Sequence, residues 1–155
     1  MATDSQQLDA AVNAPARGLD SLAFACTVIV VADLDRSSQW YQSVLGFTEH
    51  IRVRIDGANV VLLEGAGTQL ELIQGDGPTV STEPSLCADP PDHLLPKGNK
   101  FLAFAVEDLQ RATDQLRDKG VPIIWRDKEL APGIRSTAIR DVEDNFIHIV
   151  QHSHR

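Results

Sequence analysis

Long apolar runs are missing from this chain. The longest are about eight residues, against the roughly 20 that a bilayer-spanning helix needs, so no membrane span is expected. Cysteine is scarce: Cys26 and Cys87 are the only two, too few for a disulfide framework, and a reducing compartment is the expectation. The N-terminus lacks a basic stretch followed by an apolar core, so a secretory signal is not expected and a cytoplasmic location is. Basic residues are in deficit, 14 Lys and Arg against 22 Asp and Glu, for a net charge of −8. A nucleic-acid backbone is therefore excluded as partner, because neutralising phosphates takes clustered Lys and Arg. The balance is compatible with a cationic or neutral small ligand. No Gly-rich loop followed by Lys cradles a phosphate, and no Gly-x-Ser-x-Gly elbow presents a nucleophile.

What the chain does have is a phrase that occurs twice. Val31-Ala32-Asp33-Leu34 closes one apolar run, and Val106-Glu107-Asp108-Leu109 closes another in the second half. Each aspartate sits where a helix N-cap belongs, its carboxylate ready to accept free backbone N–H groups. Helical spacing follows (Leu34, Ser37, Trp40, Tyr41, Val44, Leu45; then Leu109, Ala112, Leu116), and each pattern stops at a glycine, Gly46 or Gly120. Strand patterns complete each half: 24–31, 50–56, 59–64 and 68–74 in the first, and 101–106, 122–126, 134–140 and 145–151 in the second. A duplication of this kind predicts two copies of one small unit packed together, with a ligand site between them. At 155 residues and 43% hydrophobic, the chain can bury one shared core.

Boundaries follow from composition. Residues 1–21 read as a flexible arm, 22–75 as the first unit, 101–151 as the second and 152–155 as a tail. Five of the eight prolines fall in the connection of residues 76–100, which is read as a long loop. Two residues stand out on the strands. Glu71, between Leu70 and Leu72, is costly on a buried strand unless paired or functional. His148 lies between Ile147 and Ile149. If both face one cavity, they can hydrogen-bond or work as an acid–base pair. Trp125 offers a stacking surface for a planar ligand, and Trp40 is expected to pack its helix onto the sheet. His50, Arg52 and Arg54 alternate with Ile51, Val53 and Ile55. The apolar set is expected to pack and the basic set to face solvent.

The segments Val31–Phe47, Leu70–Ile73, Phe101–Leu109 and Ile139–Gln151 resemble the vicinal oxygen chelate superfamily, which includes glyoxalase I, extradiol dioxygenases, epimerases and bleomycin-resistance proteins. The quoted features are V-x-D-L in each half, Y-x-x-x-L-G-F and the closing R-D-x-x-x-N. The resemblance implies an α+β fold of two βαβββ modules, their sheets curling around a shared cavity. In metal-dependent members four ligands come from the first and last strand of each module. Carried onto this chain, those positions are Cys26, Glu71, Phe101 and His148. Phe101 has no donor atom, so the resemblance implies a metal-free and largely apolar cavity. Cys26, Val28, Phe101, Ala103, Trp125 and Phe146 are its expected lining, with Glu71 and His148 as polar anchors. The function implied is binding of an antibiotic or secondary metabolite by a homodimer, or Glu71/His148 acid–base chemistry on it. The alternative is a metal-dependent lyase, isomerase or dioxygenase holding one divalent ion (Zn, Ni, Mn or Fe) on Cys26, Glu71 and His148.

Overall fold

The computed structural model describes residues 24–79, 97–98 and 101–153. The expected arm, Cys87 and most of the Pro-rich connection lie outside the described residues. In chain order the elements are β1 (Thr27–Val30), α1 (Leu34–Leu45), β2 (Thr48–Ile55), β3 (Ala58–Gly65), β4 (Thr68–Gly75), β5 (Phe101–Ala105), α2 (Leu109–Asp118), β6 (Ile123–Ala131), β7 (Ile134–Arg140) and β8 (Phe146–His152). The strand–helix–three-strand order thus occurs twice, as the duplicated phrase predicts. Each half forms its own four-stranded sheet, ordered β1-β4-β3-β2 and β5-β8-β7-β6, with the first pair parallel and the rest antiparallel. The sheets stay open, each leaving two edges.

Local chemistry sets the helix ends. Asp33 accepts from the N–H of Arg36 at 3.0 Å, and Asp108 accepts from Arg111 at 2.9 Å. Gly46 ends α1 at φ 77°, a left-handed conformation that glycine adopts without steric cost. A second pair of equivalent bonds ties each helix to its own sheet. Gln74 accepts from the N–H of Leu34 at 2.8 Å, and Gln151 from that of Leu109 at 2.9 Å. Gln74 follows Glu71 by the same interval at which Gln151 follows His148, which makes Glu71 and His148 equivalent positions of the two modules.

One core serves both halves. Val31, Leu34, Tyr41, Val61, Leu63, Leu70 and Leu72 from the first join Leu109, Leu116, Ile139, Ile147 and Ile149 from the second. Phe47 bridges them edge-on, with ring centroids 6.0 Å from Tyr41 and 5.9 Å from Phe104. Its neighbour is a glycine by necessity, since a Cβ on Gly65 would stand 2.9 Å from the Phe47 ring.

Polar contacts add a latch between the modules. Glu143, in the β7–β8 turn, accepts from the N–H groups of Ala32 and Asp33 at 3.1 and 3.0 Å, at the start of α1. Lys119 Nζ donates to the carbonyls of Ser43 and Val44 at 3.0 and 2.8 Å, at its end. A negative group at the helix N-terminus and a positive one at its C-terminus both oppose the helix dipole favourably. Between them the Tyr41 hydroxyl donates to Asp141 at 2.8 Å. Asp141 also accepts from the N–H groups of Glu143 and Asn145 and from the Asn145 amide, each at 2.9 Å.

The alternation in β2 is observed and its basic set, His50, Arg52 and Arg54, faces solvent as expected, but its apolar set is used otherwise. Arg52 bonds to Glu49 and Asp35, and Arg54 to Asn59 and Asp76. Hydrogen bonding to Arg52 holds the Glu49 carboxyl below the usual carboxylate range. Ile51, Val53 and Ile55 do not pack. They share the open face of the first sheet with Val28 and Val30, and all five are between 40% and 64% exposed.

Candidate functional site

Strand register fixes which side chains share the open face of the second sheet. Phe101 pairs with Phe146 and Ala103 with His148, so period-two alternation sends these four to one face while Leu102, Phe104, Ile147 and Ile149 face α2 and the core. Ala138 and Trp125 continue that face across β7 and β6. The outcome is an aromatic box around an imidazole. The rings of Phe101 and His148 are stacked, 4.2 Å apart and 10° from parallel. Trp125 meets His148 edge-on at 5.0 Å, and Phe146 is tilted against it at 5.2 Å. His148 Nδ1 lies 3.4 Å from the Ser136 hydroxyl. His148 is only 6% exposed, whereas Phe101 above it is 42% exposed. An exposed aromatic ring over a buried polar one is a ready stacking platform.

On the first sheet Val28 pairs with Glu71, and Cys26 lies one alternation back along the same face. The Cys26 thiol points at Glu71 Oε2 across 3.9 Å, a weak donor meeting a carboxylate. The expected residues thus gather as two groups on equivalent strands: Cys26, Val28 and Glu71 on one sheet, and Phe101, Ala103, Trp125, Phe146 and His148 on the other. A separate open groove of about 290 Å³ lies at the end of the first sheet, lined by Phe24, Ala25, Glu64, Gly65, Gly67, Thr68 and Gln69. None of the expected site residues lines it.

The donor set decides how well a metal ion fits. Among the described residues no group of three or more His, Cys, Asp or Glu side chains is placed to hold one. Of the four family ligand positions, one carries a phenyl ring, and that ring covers the imidazole of another. These residues do not fit a three-ligand site within one chain.

Sequence reasoning missed three residues at this site. Ser136 is found only once β7 is registered against β8. Arg140 places its guanidinium 5.3 Å from the Phe146 ring centre, and Lys128 its ammonium 5.1 Å from that of Trp125. Pairing across strands put Ser136 and Lys128 there with no local motif to mark them, whereas Arg140 is the first residue of the R-D-x-x-x-N motif, which gives no sign that it meets Phe146.

Comparison with known proteins agrees with this architecture. A domain from Frankia sp. EAN1pec, described as glyoxylase/bleomycin resistance protein/dioxygenase, superposes with TM-score 0.67 at 24% identity, covering 85% of this chain and 93% of that one. The trypanothione-dependent glyoxalase I of Leishmania major gives 0.61 at 27% identity, covering 84% and 87%. A genomically encoded fosfomycin resistance protein from Listeria monocytogenes gives 0.62 at 13% identity, covering 85% and 94%. Comparison with the curated proteins gave no match. Residues 21–148 match the sequence profile of one family across nearly the whole described chain. The chain belongs to the Glyoxalase/Bleomycin resistance protein/Dioxygenase superfamily.

Proposed function

We propose that this protein binds a planar, largely apolar small molecule, such as an antibiotic or secondary metabolite, against the aromatic box of the second sheet. The observation that carries this reading is the Phe101–His148 stack, exposed on its upper ring and buried on its lower one. Phe101 supplies the stacking face, Trp125 and Phe146 the flanks, and His148 with Ser136 the polar floor. His148 is the group in the box available for proton transfer on a bound molecule, and Glu71 occupies the equivalent position on the first sheet. In this reading no metal is required.

The test is a fluorescence titration with 1-naphthol as a neutral planar probe, with Trp125 in the box as reporter. Saturable quenching is expected, and Phe101→Ala should weaken it about tenfold, the equivalent of one lost stacking contact. Equal binding by the variant would remove the box as the site. Metal analysis of protein purified without chelator or affinity tag tests the other half. Stoichiometric metal that is lost in Cys26→Ala and His148→Ala would overturn the metal-free reading.

We also propose that the working form is a homodimer. Val28 and Val30 on β1 and Ile51, Val53 and Ile55 on β2 leave the open face of the first sheet apolar and exposed along both of its edges, and exposed apolar surface of this kind marks interaction sites. A second copy is the occupant that the family relationship favours. Light scattering should find twice the mass of the chain, and Val53→Glu should convert it to monomer. A wild-type monomer at tens of micromolar would refute this.

A further inference from the structure

The aromatic box has a charge that the chain as a whole does not lead one to expect. In β6, Trp125 pairs with Ala138 and Lys128 with Ser136, so three steps on one strand match two on the other. This is a β-bulge, and it changes where side chains point. In a regular strand Trp125 and Lys128 would face opposite ways; here both stand over the face that carries His148. The bulge is fastened from behind. Asp127 takes a left-handed φ of 47° and donates its N–H to Thr137 Oγ1 at 3.2 Å. Arg135 grips both the carboxylate and the carbonyl of Asp127 at 2.6 Å.

Lys128 is thereby the cross-strand neighbour of Ser136, the residue in contact with His148 Nδ1. It is exposed, and among the described residues it makes no ion pair. Arg140 lies against Phe146 on the other flank of the box. Several acidic groups of this module are engaged away from the box: Asp108 caps α2, Asp114 pairs with Arg117 and Arg126, Asp127 pairs with Arg135, and Asp141 and Glu143 form the latch to the first module, while Glu129, next to Lys128, stands opposite Arg135. A protein with net charge −8 thus presents the Lys128 ammonium beside its aromatic site. The composition-based expectation of a cationic or neutral ligand is the opposite of this local arrangement.

We infer that the ligand carries an anionic group, a carboxylate, sulfonate or phosphonate on a planar body, and that Lys128 is the residue selecting it. The inference rests on the proposed aromatic site, with the ring on Phe101 and the anion reaching Lys128. Ammonium-to-anion attraction at an exposed rim is modest, and it sets preference more than raw affinity.

Three probes of the same body separate the two ideas: naphthalene-1-carboxylate, naphthalene-1-carboxamide and 1-naphthylmethylammonium, titrated at low salt by tryptophan fluorescence. The carboxylate should bind about three- to fivefold more tightly than the carboxamide, and the ammonium more weakly than both. Lys128→Ala should bring carboxylate and carboxamide within about twofold of each other, and Lys128→Glu should reverse the order. Raised salt should reduce the wild-type preference. Equal binding of all three probes, or a preference that survives Lys128→Ala, overturns the anion inference and leaves the aromatic site standing. No binding of any probe overturns both.

Discussion

Asp141→Ala should lower stability by about 3–5 kcal/mol, the usual cost of breaking a buried, multiply bonded network. Asp141 is 6% exposed and accepts four hydrogen bonds, so truncation leaves the Tyr41 hydroxyl, two backbone N–H groups and an amide to find new partners with little water at hand. For a chain of this size the melting temperature should fall by roughly 6–20 °C. Tyr41→Phe removes one bond and keeps the ring, so it should cost only about 1–2 kcal/mol. Urea denaturation of the two variants beside wild type measures both. A loss below about 1 kcal/mol for Asp141→Ala would mean that the β7–β8 turn holds its shape, and its grip on α1, without this carboxylate.

The second large effect is at alkaline pH. Tyr41 is fully buried and is the only tyrosine in the chain. Burial, then the nearby Asp141 charge, then the hydrogen bond to it, hold the phenol proton far beyond the ordinary range for tyrosine. The unfolded chain releases that proton near pH 10, and the folded chain keeps it. The folded state therefore binds more protons above pH 10, and stability must fall as pH rises. The contribution is complete below about pH 10 and declines by about 1.4 kcal/mol per pH unit above it. Phenolate absorbance should stay flat through pH 10–11 while the near-ultraviolet circular dichroism remains native, then rise together with unfolding. Since there is one tyrosine, the signal has one source. Phenolate appearing near pH 10 in folded protein would show that the hydroxyl reaches water.

What the sequence makes legible is what its local chemistry determines. Asp33, Asp108 and Gly46 act within a few residues of where they stand, so the helix ends are readable from spacing alone. The duplicated phrase gives the order of strands for the same reason. The β6 bulge is not readable, because it exists only relative to β7, and the expected strand of 122–126 stops short of Lys128. Alternation in β2 correctly separates its two faces but cannot say which is covered: the guanidinium groups find carboxylates, and the isoleucines are left outside. At the candidate site the family positions name Glu71, Phe101 and His148. Ser136 and Lys128 come into view only through cross-strand pairing, and Arg140, visible as part of R-D-x-x-x-N, shows its place against Phe146 only there.

The two ends of α1 have a consequence for how the chain is made. Glu143 reaches Ala32 from 111 residues further along, and Lys119 reaches Ser43 from 76. At synthesis rates of about 5–20 residues per second, the helix waits roughly 5–20 s on the ribosome before the groups that complete it are translated. During that interval α1 has only the sheet of its own module to pack on, and the side of the shared core that the second module fills has no cover from this chain. A pause or a premature stop within residues 76–100 would release a first half that has every local signal to fold and no partner to hold it, which makes the connection the point at which interrupted synthesis is most hazardous to this protein.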